Sequence, residues 1–207
     1  MTTSAKTRER VWTVTFMFIV TLFSMSIVSA LSLVTRERVE RNASLFLYKA
    51  VLEAAGMEVP GSPEAVLKQY AAAVTAATNG TGPAHFRVTD PGAQAPRSYV
   101  FVQTGSGLWG SITAVVGLRG DLSGLTGLTF TDQNETPGLG ARITEDWFKA
   151  QFRGRKGPFT IVPEGTKSAS PQEFDGITGA SITTRAVRDV VNRVVANGPA
   201  WAAEGAR

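Results

Sequence analysis

The residues best placed to do chemistry are Asp175-Gly176-Ile177-Thr178-Gly179-Ala180-Ser181-Ile182-Thr183-Thr184, a turn of small and hydroxyl side chains that runs straight into an amphipathic pattern. Val187, Val190, Val191, Val194 and Val195 recur at helical spacing, which predicts a helix from Thr184 to about Asn197-Gly198-Pro199. The turn then lies at a helix N-terminus. There, unpaired N–H groups and the positive end of the macrodipole favour a phosphate, and Gly179 and Ala180 leave the backbone open to a ligand. A plainer reading competes: Ser and Thr before a helix serve as caps, and Asp175 with Gly176 makes an ordinary turn.

A second run, Asn134-Glu135-Thr136-Pro137-Gly138-Leu139-Gly140, follows the β-like stretch from Gly124 to Thr131. Pro-Gly-x-Gly is a common turn. At a strand end it makes a rigid loop whose backbone groups can face a planar ring without side-chain obstruction.

Taken together, the two runs resemble the FMN-binding domain found in the Rnf electron-transport complex, in its G-subunit, and in the sodium-translocating NADH:quinone reductase, in its C-subunit. Asp175-x-x-Thr178-Gly179-Ala180-Ser181 resembles the family's flavinylation motif, and Glu135 to Gly140 its Glu-Thr-Pro-Gly-Leu-Gly loop. The resemblance implies FMN held through a phosphoester to Ser181, with Thr178 and Thr183 as fallback acceptors and Gly179 and Ala180 beside the phosphate. It also implies Glu135, Thr136 and Leu139 along the isoalloxazine, with Gly138 and Gly140 serving the backbone, and recognition of Asp175 by a flavin transferase. The family commonly has threonine where this chain has Ser181; a primary alcohol attacks phosphorus as well as a secondary one. Gly107-Leu108-Trp109 looks like the quinone-reductase protein, whereas Ile177 to Val187 and the compact length look more like the Rnf G-subunit, which is favoured.

The positioning elements follow from pattern. Ser98–Gln103 and Leu108–Leu118 read as strands joined by a turn at Thr104-Gly105-Ser106-Gly107, and Leu125–Phe130 as a third. A helix is expected from Glu145 to Phe152 with Thr144 as its cap, then a strand at Phe159–Val162. Trp109 reads as a core strand residue, with reach to a flavin as the alternative.

Upstream, Val11 to Val34 holds no charge in 24 residues. A helix of that length spans about 36 Å against a hydrocarbon core of about 30 Å. This reads as a transmembrane anchor; a cleaved signal peptide, with Val28-Ser29-Ala30 as its site, is the competing reading. Lys6, Arg8 and Arg10 on one side balance Arg36, Arg38 and Arg41 on the other, so the charge rule does not orient it. The resemblance does, placing the soluble domain outside the bacterial cytoplasmic membrane.

Beyond the anchor a helical continuation to about residue 55 is expected, then a helix from Ser62-Pro63 to about Ala77. Residues 79 to 97 read as a polar stretch in which His85 is an exposed loop residue. The organisation is thus a tail at 1–10, an anchor at 11–34, a helical connector at 35–97 and an FMN-binding module at 98–207, with 35–207 as one soluble domain. The fold class is α+β: one N-terminal transmembrane helix, then a β-rich FMN-binding domain with flanking helices.

Composition excludes several functions. Overall, 21 Lys/Arg stand against 17 Asp/Glu; six bases and three acids lie in residues 1–41, leaving 15 against 14 elsewhere. The basic balance belongs to the membrane flanks, and no nucleic-acid face is implied. With no cysteine and one histidine, the chain offers no iron–sulfur, bis-His haem or His-based zinc site. Asn42-Ala43-Ser44 and Asn79-Gly80-Thr81 match glycosylation sequons without further support. The expected function is electron relay by covalent FMN in a multisubunit, ion-translocating membrane oxidoreductase, with no catalytic residue, metal or substrate site of its own. A membrane-anchored flavin sensor or accessory domain, or a noncatalytic assembly protein, is the alternative.

Overall fold

A computed structural model describes residues 3–77 and 83–204, with side chains from Thr7 onward. The sequon at Asn79-Gly80-Thr81 lies outside them. The first helix, α1, runs unbroken over Thr3–Ala54, so the expected tail, anchor and continuation are one element across the described residues. Contacts divide the chain into two units, Met1–Ser44 and Leu45–Arg207. In the first, α1 is long and apolar enough, by length and composition, to cross a membrane. Ser26 and Thr35 turn their hydroxyls back to the carbonyls of Leu22 and Leu31 at 2.8 Å, which hides both polar groups within the helix.

The second unit is built on an antiparallel sheet in the order β1 (Val74–Ala77), β2 (His85–Val88), β3 (Ser98–Ser106), β4 (Ser111–Arg119) and β5 (Leu125–Asp132). One face, through Phe101, Ile112, Val116 and Leu118, packs on Val187, Val190, Val191 and Val194 of the last helix, α4 (Ser181–Glu204). The other, through Val88, Val100 and Val115, packs on Ala50, Val51 and Ala54 at the end of α1. Both faces are therefore dry, which is why β4 reads as an almost unbroken apolar run rather than an alternating one. The cross-strand pair Gly117 and Gly127 lets α1 close on the sheet: a Cβ on Gly127 would lie 2.9 Å from the carbonyl oxygen of Ala54. Thr126 Oγ1 donates to that same oxygen at 2.6 Å.

The remaining elements are a 3-10 turn at Gly140–Thr144, α3 (Asp146–Ala150), and the parallel pair β6 (Thr160–Val162) and β7 (Glu173–Asp175). An N-terminal apolar helix followed by a β-sheet domain with flanking helices makes this an α+β fold, as expected.

Several local expectations are corrected. Ser62 caps α2 (Pro63–Ala73) by accepting from Ala65 N at 3.3 Å, but the helix stops at Ala73 because Val74 turns extended and enters the sheet. The polar stretch contains β2, and His85 is buried there, only 3% exposed and stacked on Phe101 at 5.4 Å. It stands between Ala77 of β1 and Phe101 of β3, a placement its own neighbours in sequence do not reveal. The hairpin turns at Gly107-Leu108-Trp109-Gly110, closed by Gly107 N–H to the Gly110 carbonyl at 2.7 Å, so Trp109 is no core strand residue; it is 70% exposed. Thr144 donates to the Ala141 carbonyl, and Glu145 occupies the cap position of α3. Finally, α4 starts at Ser181 and passes through Pro199 to Glu204, where Trp201 packs at a tilt against Phe101, with ring centres 5.8 Å apart, and Ala202 is buried in the core.

Candidate functional site

The fold brings the two sequence motifs together. Thr183, in the first turn of α4 and 1% exposed, donates its hydroxyl to Glu135 Oε2. Glu135 is itself buried, and its Oε1 accepts the backbone N–H groups of Leu108 at 2.9 Å and Trp109 at 3.1 Å. One carboxylate thus ties the β3–β4 turn, the loop after β5 and the start of α4. A Cβ on Gly140 would lie 2.7 Å from Thr183 Oγ1, so only glycine fits at the junction. Above it, Thr136 Oγ1 accepts from the indole N–H of Trp109 at 3.0 Å, which holds the exposed ring at both its backbone and its tip. Leu139 stands 42% exposed beside Gly179, whose Cβ would meet Leu139 Cδ2 at 3.0 Å. Gly138 (φ 74°) and Gly179 (φ 80°) occupy left-handed backbone, conformations that favour glycine.

Ser181 is the first residue of α4 rather than its cap. Thr184 does the local closing work: its hydroxyl donates to the Ala180 carbonyl at 2.9 Å and accepts Ile177 N–H at 3.2 Å. Ser181 is exposed, and its hydroxyl has no hydrogen-bond partner among the described residues. Thr178 is exposed as well, whereas Thr183 is sealed under Glu135. An open cleft of about 510 Å³ lies beside Ser181, lined among others by Ile161, Pro163, Thr178, Arg185 and Arg188. A larger hollow of about 740 Å³, walled by Glu53, Arg97, Arg119 and Arg153, shares no residue with it.

Two acids that shape this turn differ in visibility from sequence. Asp175 is buried, and its carboxylate accepts the N–H groups of Gly165 at 2.9 Å and Lys167 at 3.1 Å. Glu164 carried no signal in the sequence. It pairs with Arg142 at 2.8 Å and accepts Thr178 N–H at 2.7 Å. The Arg142 guanidinium, then the Thr178 donors, hold the Glu164 carboxyl well below the ordinary range, at about 2. Arg142 is pushed up reciprocally by its hydrogen bond to Glu164, and its guanidinium also lies over the Trp147 ring at 5.2 Å.

Residues 107–196 match the model of the FMN-binding domain family, and that stretch contains both loops and the turn bearing Trp109. The C-subunit of the Na(+)-translocating NADH-quinone reductase of Vibrio anguillarum is 33% identical over 91 residues, 41% of this chain and 36% of that protein. The G-subunit of the Na(+)-translocating ferredoxin:NAD(+) oxidoreductase complex of Acetobacterium woodii is 38% identical over 94 residues, 44% of each chain. The similarity thus spans less than half the length of these curated relatives. In fold the chain resembles the crystal structure of the Na(+)-translocating NADH-quinone reductase C-subunit from Parabacteroides distasonis, with a TM-score of 0.65 over 80% of this chain and 96% of that one at 23% identity. NqrC of Shewanella oneidensis superposes similarly, with a TM-score of 0.66 over 78% and 97% at 20% identity.

Proposed function

We propose that this chain is an electron-relay component of a membrane-bound, ion-translocating oxidoreductase and carries FMN esterified to Ser181. The observation that carries the reading is the Ser181 hydroxyl, exposed and without a hydrogen-bond partner among the described residues, at the N-terminus of α4 beside an open cleft. The residues suit a phosphoryl group. Among the described residues, the N–H groups of Ser181, Ile182 and Thr183 have no carbonyl partner four residues back, whereas that of Thr184 is closed on Ala180, and Arg185 lies one turn on from Ser181.

In attachment, Ser181 Oγ forms the new bond to phosphorus, the phosphoanhydride bond of FAD breaks, AMP departs, and the hydroxyl proton is lost to a base of the flavin transferase. Bound FMN supplies one- and two-electron redox chemistry. The chain's part is to orient the ring and set its surroundings. Thr136, Leu139 and the exposed Trp109 form the face offered to the ring, Gly138 lets the loop backbone approach it, and Glu135 holds that face from beneath. Thr178 is the fallback acceptor; Thr183, already donating to Glu135, is not free to serve.

The partners in this reading are the other subunits of a multisubunit complex, a flavin transferase for maturation, and membrane lipid around α1, with the second unit outside the cytoplasmic membrane. An Rnf-type complex is favoured over the quinone-reductase type, a preference supported by the Ile177–Val187 pattern. Ser181→Ala should abolish flavin fluorescence in the denatured protein band and remove the mass of an FMN phosphoester from the intact chain. Flavin that survives denaturation in this variant would overturn the assignment.

A further inference from the structure

We propose that Glu164, which lies outside both motifs, is a positioning residue for flavin attachment, held by Asp175 and acting on Ser181 through Thr178. This rests on the reading of Ser181 as the acceptor.

The chain of contacts is continuous. β6 and β7 run in parallel, with Val162 opposite Asp175, so the tight turn that leaves β6 passes directly over the Asp175 side chain. Thr166 closes that turn on the Pro163 carbonyl through its N–H at 3.1 Å and its hydroxyl at 2.6 Å. Asp175 then grips it from below at Gly165 and Lys167, both in left-handed backbone with φ 85° and 49°. A non-glycine residue is strained there, so the carboxylate stabilises a conformation Lys167 would otherwise avoid. Glu164 sits between the β6 end and this grip. The turn has one external product, the Glu164 carboxylate delivered to Thr178 N–H and to Arg142.

Thr178 begins the short bend through Gly179 and Ala180 that ends at Ser181. With Thr178 pinned by Glu164 and Ala180 N–H closed on Ile177 at 3.0 Å, Gly179 is held in its left-handed conformation. Arg142 belongs to the 3-10 turn that follows the Glu135–Gly140 loop, so the same carboxylate also ties the acceptor bend to the ring-facing loop. The burial of Asp175, with both oxygens accepting from its own chain, leaves little of it for a transferase to touch. Its effect on attachment runs through Glu164.

The test uses the full-length chain in detergent with a purified flavin transferase and FAD, and compares Glu164→Ala, Asp175→Asn and the double variant. Each single change removes a charge-assisted hydrogen-bonding group, so covalent flavin incorporation should slow about tenfold. Because the two act in one path, the double variant should also lose about tenfold rather than a hundredfold. Glu164→Gln, which keeps an acceptor for Thr178 N–H, should recover most of the rate. In flavin-free protein, amide exchange across residues 178–183 should speed up in both single variants, a readout independent of the transferase. Wild-type rate and wild-type exchange in Glu164→Ala would overturn the proposal, as would a multiplicative loss in the double variant. Should Asp175→Asn fail to fold, Glu164→Ala and Glu164→Gln, at a half-exposed position, decide the matter. If the wild-type chain takes up flavin at a residue other than Ser181, the acceptor assignment fails, and the exchange data alone judge whether Asp175 and Glu164 order the bend.

Discussion

Thr183 donates its hydroxyl to Glu135, and through that bond the loop after β5 and the first turn of α4 share one buried carboxylate. The N–H groups of Leu108 and Trp109 complete its shell. Among the described residues no cation pairs with it; three neutral donors satisfy it. Thr183→Val keeps the shape of the side chain and removes one donor, leaving Glu135 Oε2 buried without a partner. An unsatisfied buried acceptor costs about 1–3 kcal/mol, so the urea midpoint of the second unit should fall accordingly. Under the proposed attachment at Ser181, covalent flavin should persist. Loss of flavin from a folded Thr183→Val protein would contradict this.

Ser181→Thr should remain flavinylated. The position is exposed at the first residue of α4, so an added methyl meets solvent rather than core. Intact mass after co-expression with a flavin transferase reads the outcome directly, and a chain without the flavin mass would show that attachment here demands a primary alcohol.

Glu164 makes stability depend on acid in a defined direction. Its carboxyl is held at about 2, below the ordinary 4.5, first by Arg142 and then by Thr178. Its stabilising contribution is therefore present above about 4.5 and lost as pH falls toward about 2, since the unfolded chain takes up the proton first. Denaturation midpoints measured from pH 5 down to 2 should fall more steeply for the wild type than for Glu164→Gln. Parallel curves would mean that the Arg142 pair is broken in solution.

Tyr70 acts at the opposite end of the scale. Burial, and secondarily the neighbouring Tyr48 stacked at a ring distance of 4.0 Å, push its phenol from 10.0 up to about 12. The folded state keeps the proton longer than the unfolded state, so stability is intact below about 10 and declines as pH rises toward 12. Tyr70→Phe should flatten that decline between pH 10 and 12 in a thermal-unfolding series, and an unchanged slope would remove Tyr70 as its source.

What could be read from sequence was what is local. The valine spacing of α4, the Ser62 cap, the apolar run of α1 and both glycine-bearing loops depend on near neighbours, and each is where the pattern put it. The exposed position of Trp109 is not legible in sequence because its turn is fixed by Glu135, more than twenty residues on, and an apolar run with dry faces on both sides gives no alternation to mark where a strand ends. The burial of His85 is hidden from sequence for a similar reason, since the strands on either side of it are its sheet partners. Glu164 was invisible because a lone acid beside proline and glycine looks like any surface turn. Only the parallel pairing of β6 with β7 carries it to Thr178.

The loop from Glu135 to Gly140 gives the sharpest separation between holding a flavin and tuning it. Gly138 has φ 74°, and a Cβ there would meet nothing within 4 Å, so the position is open in space but restricted in backbone. Gly138→Val must therefore either occupy left-handed backbone, at a cost of roughly 1–2 kcal/mol, or flip the peptide and shift Leu139. In either case the Ser181 hydroxyl stays on the first turn of α4, which Thr184 closes on Ala180, so attachment there should survive even where Leu139 shifts beside Gly179. Under the proposed contact between this loop and the ring, covalent flavin should stay at wild-type occupancy while the midpoint potential and the rate of electron transfer change, because the hydrogen bonds and dielectric at that contact would be altered. Spectroelectrochemical titration of the denaturation-resistant flavin in both proteins measures this directly. If the potential and turnover of Gly138→Val match the wild type, the loop is an ordinary surface turn, and Thr136 and Leu139 lose their place beside the ring.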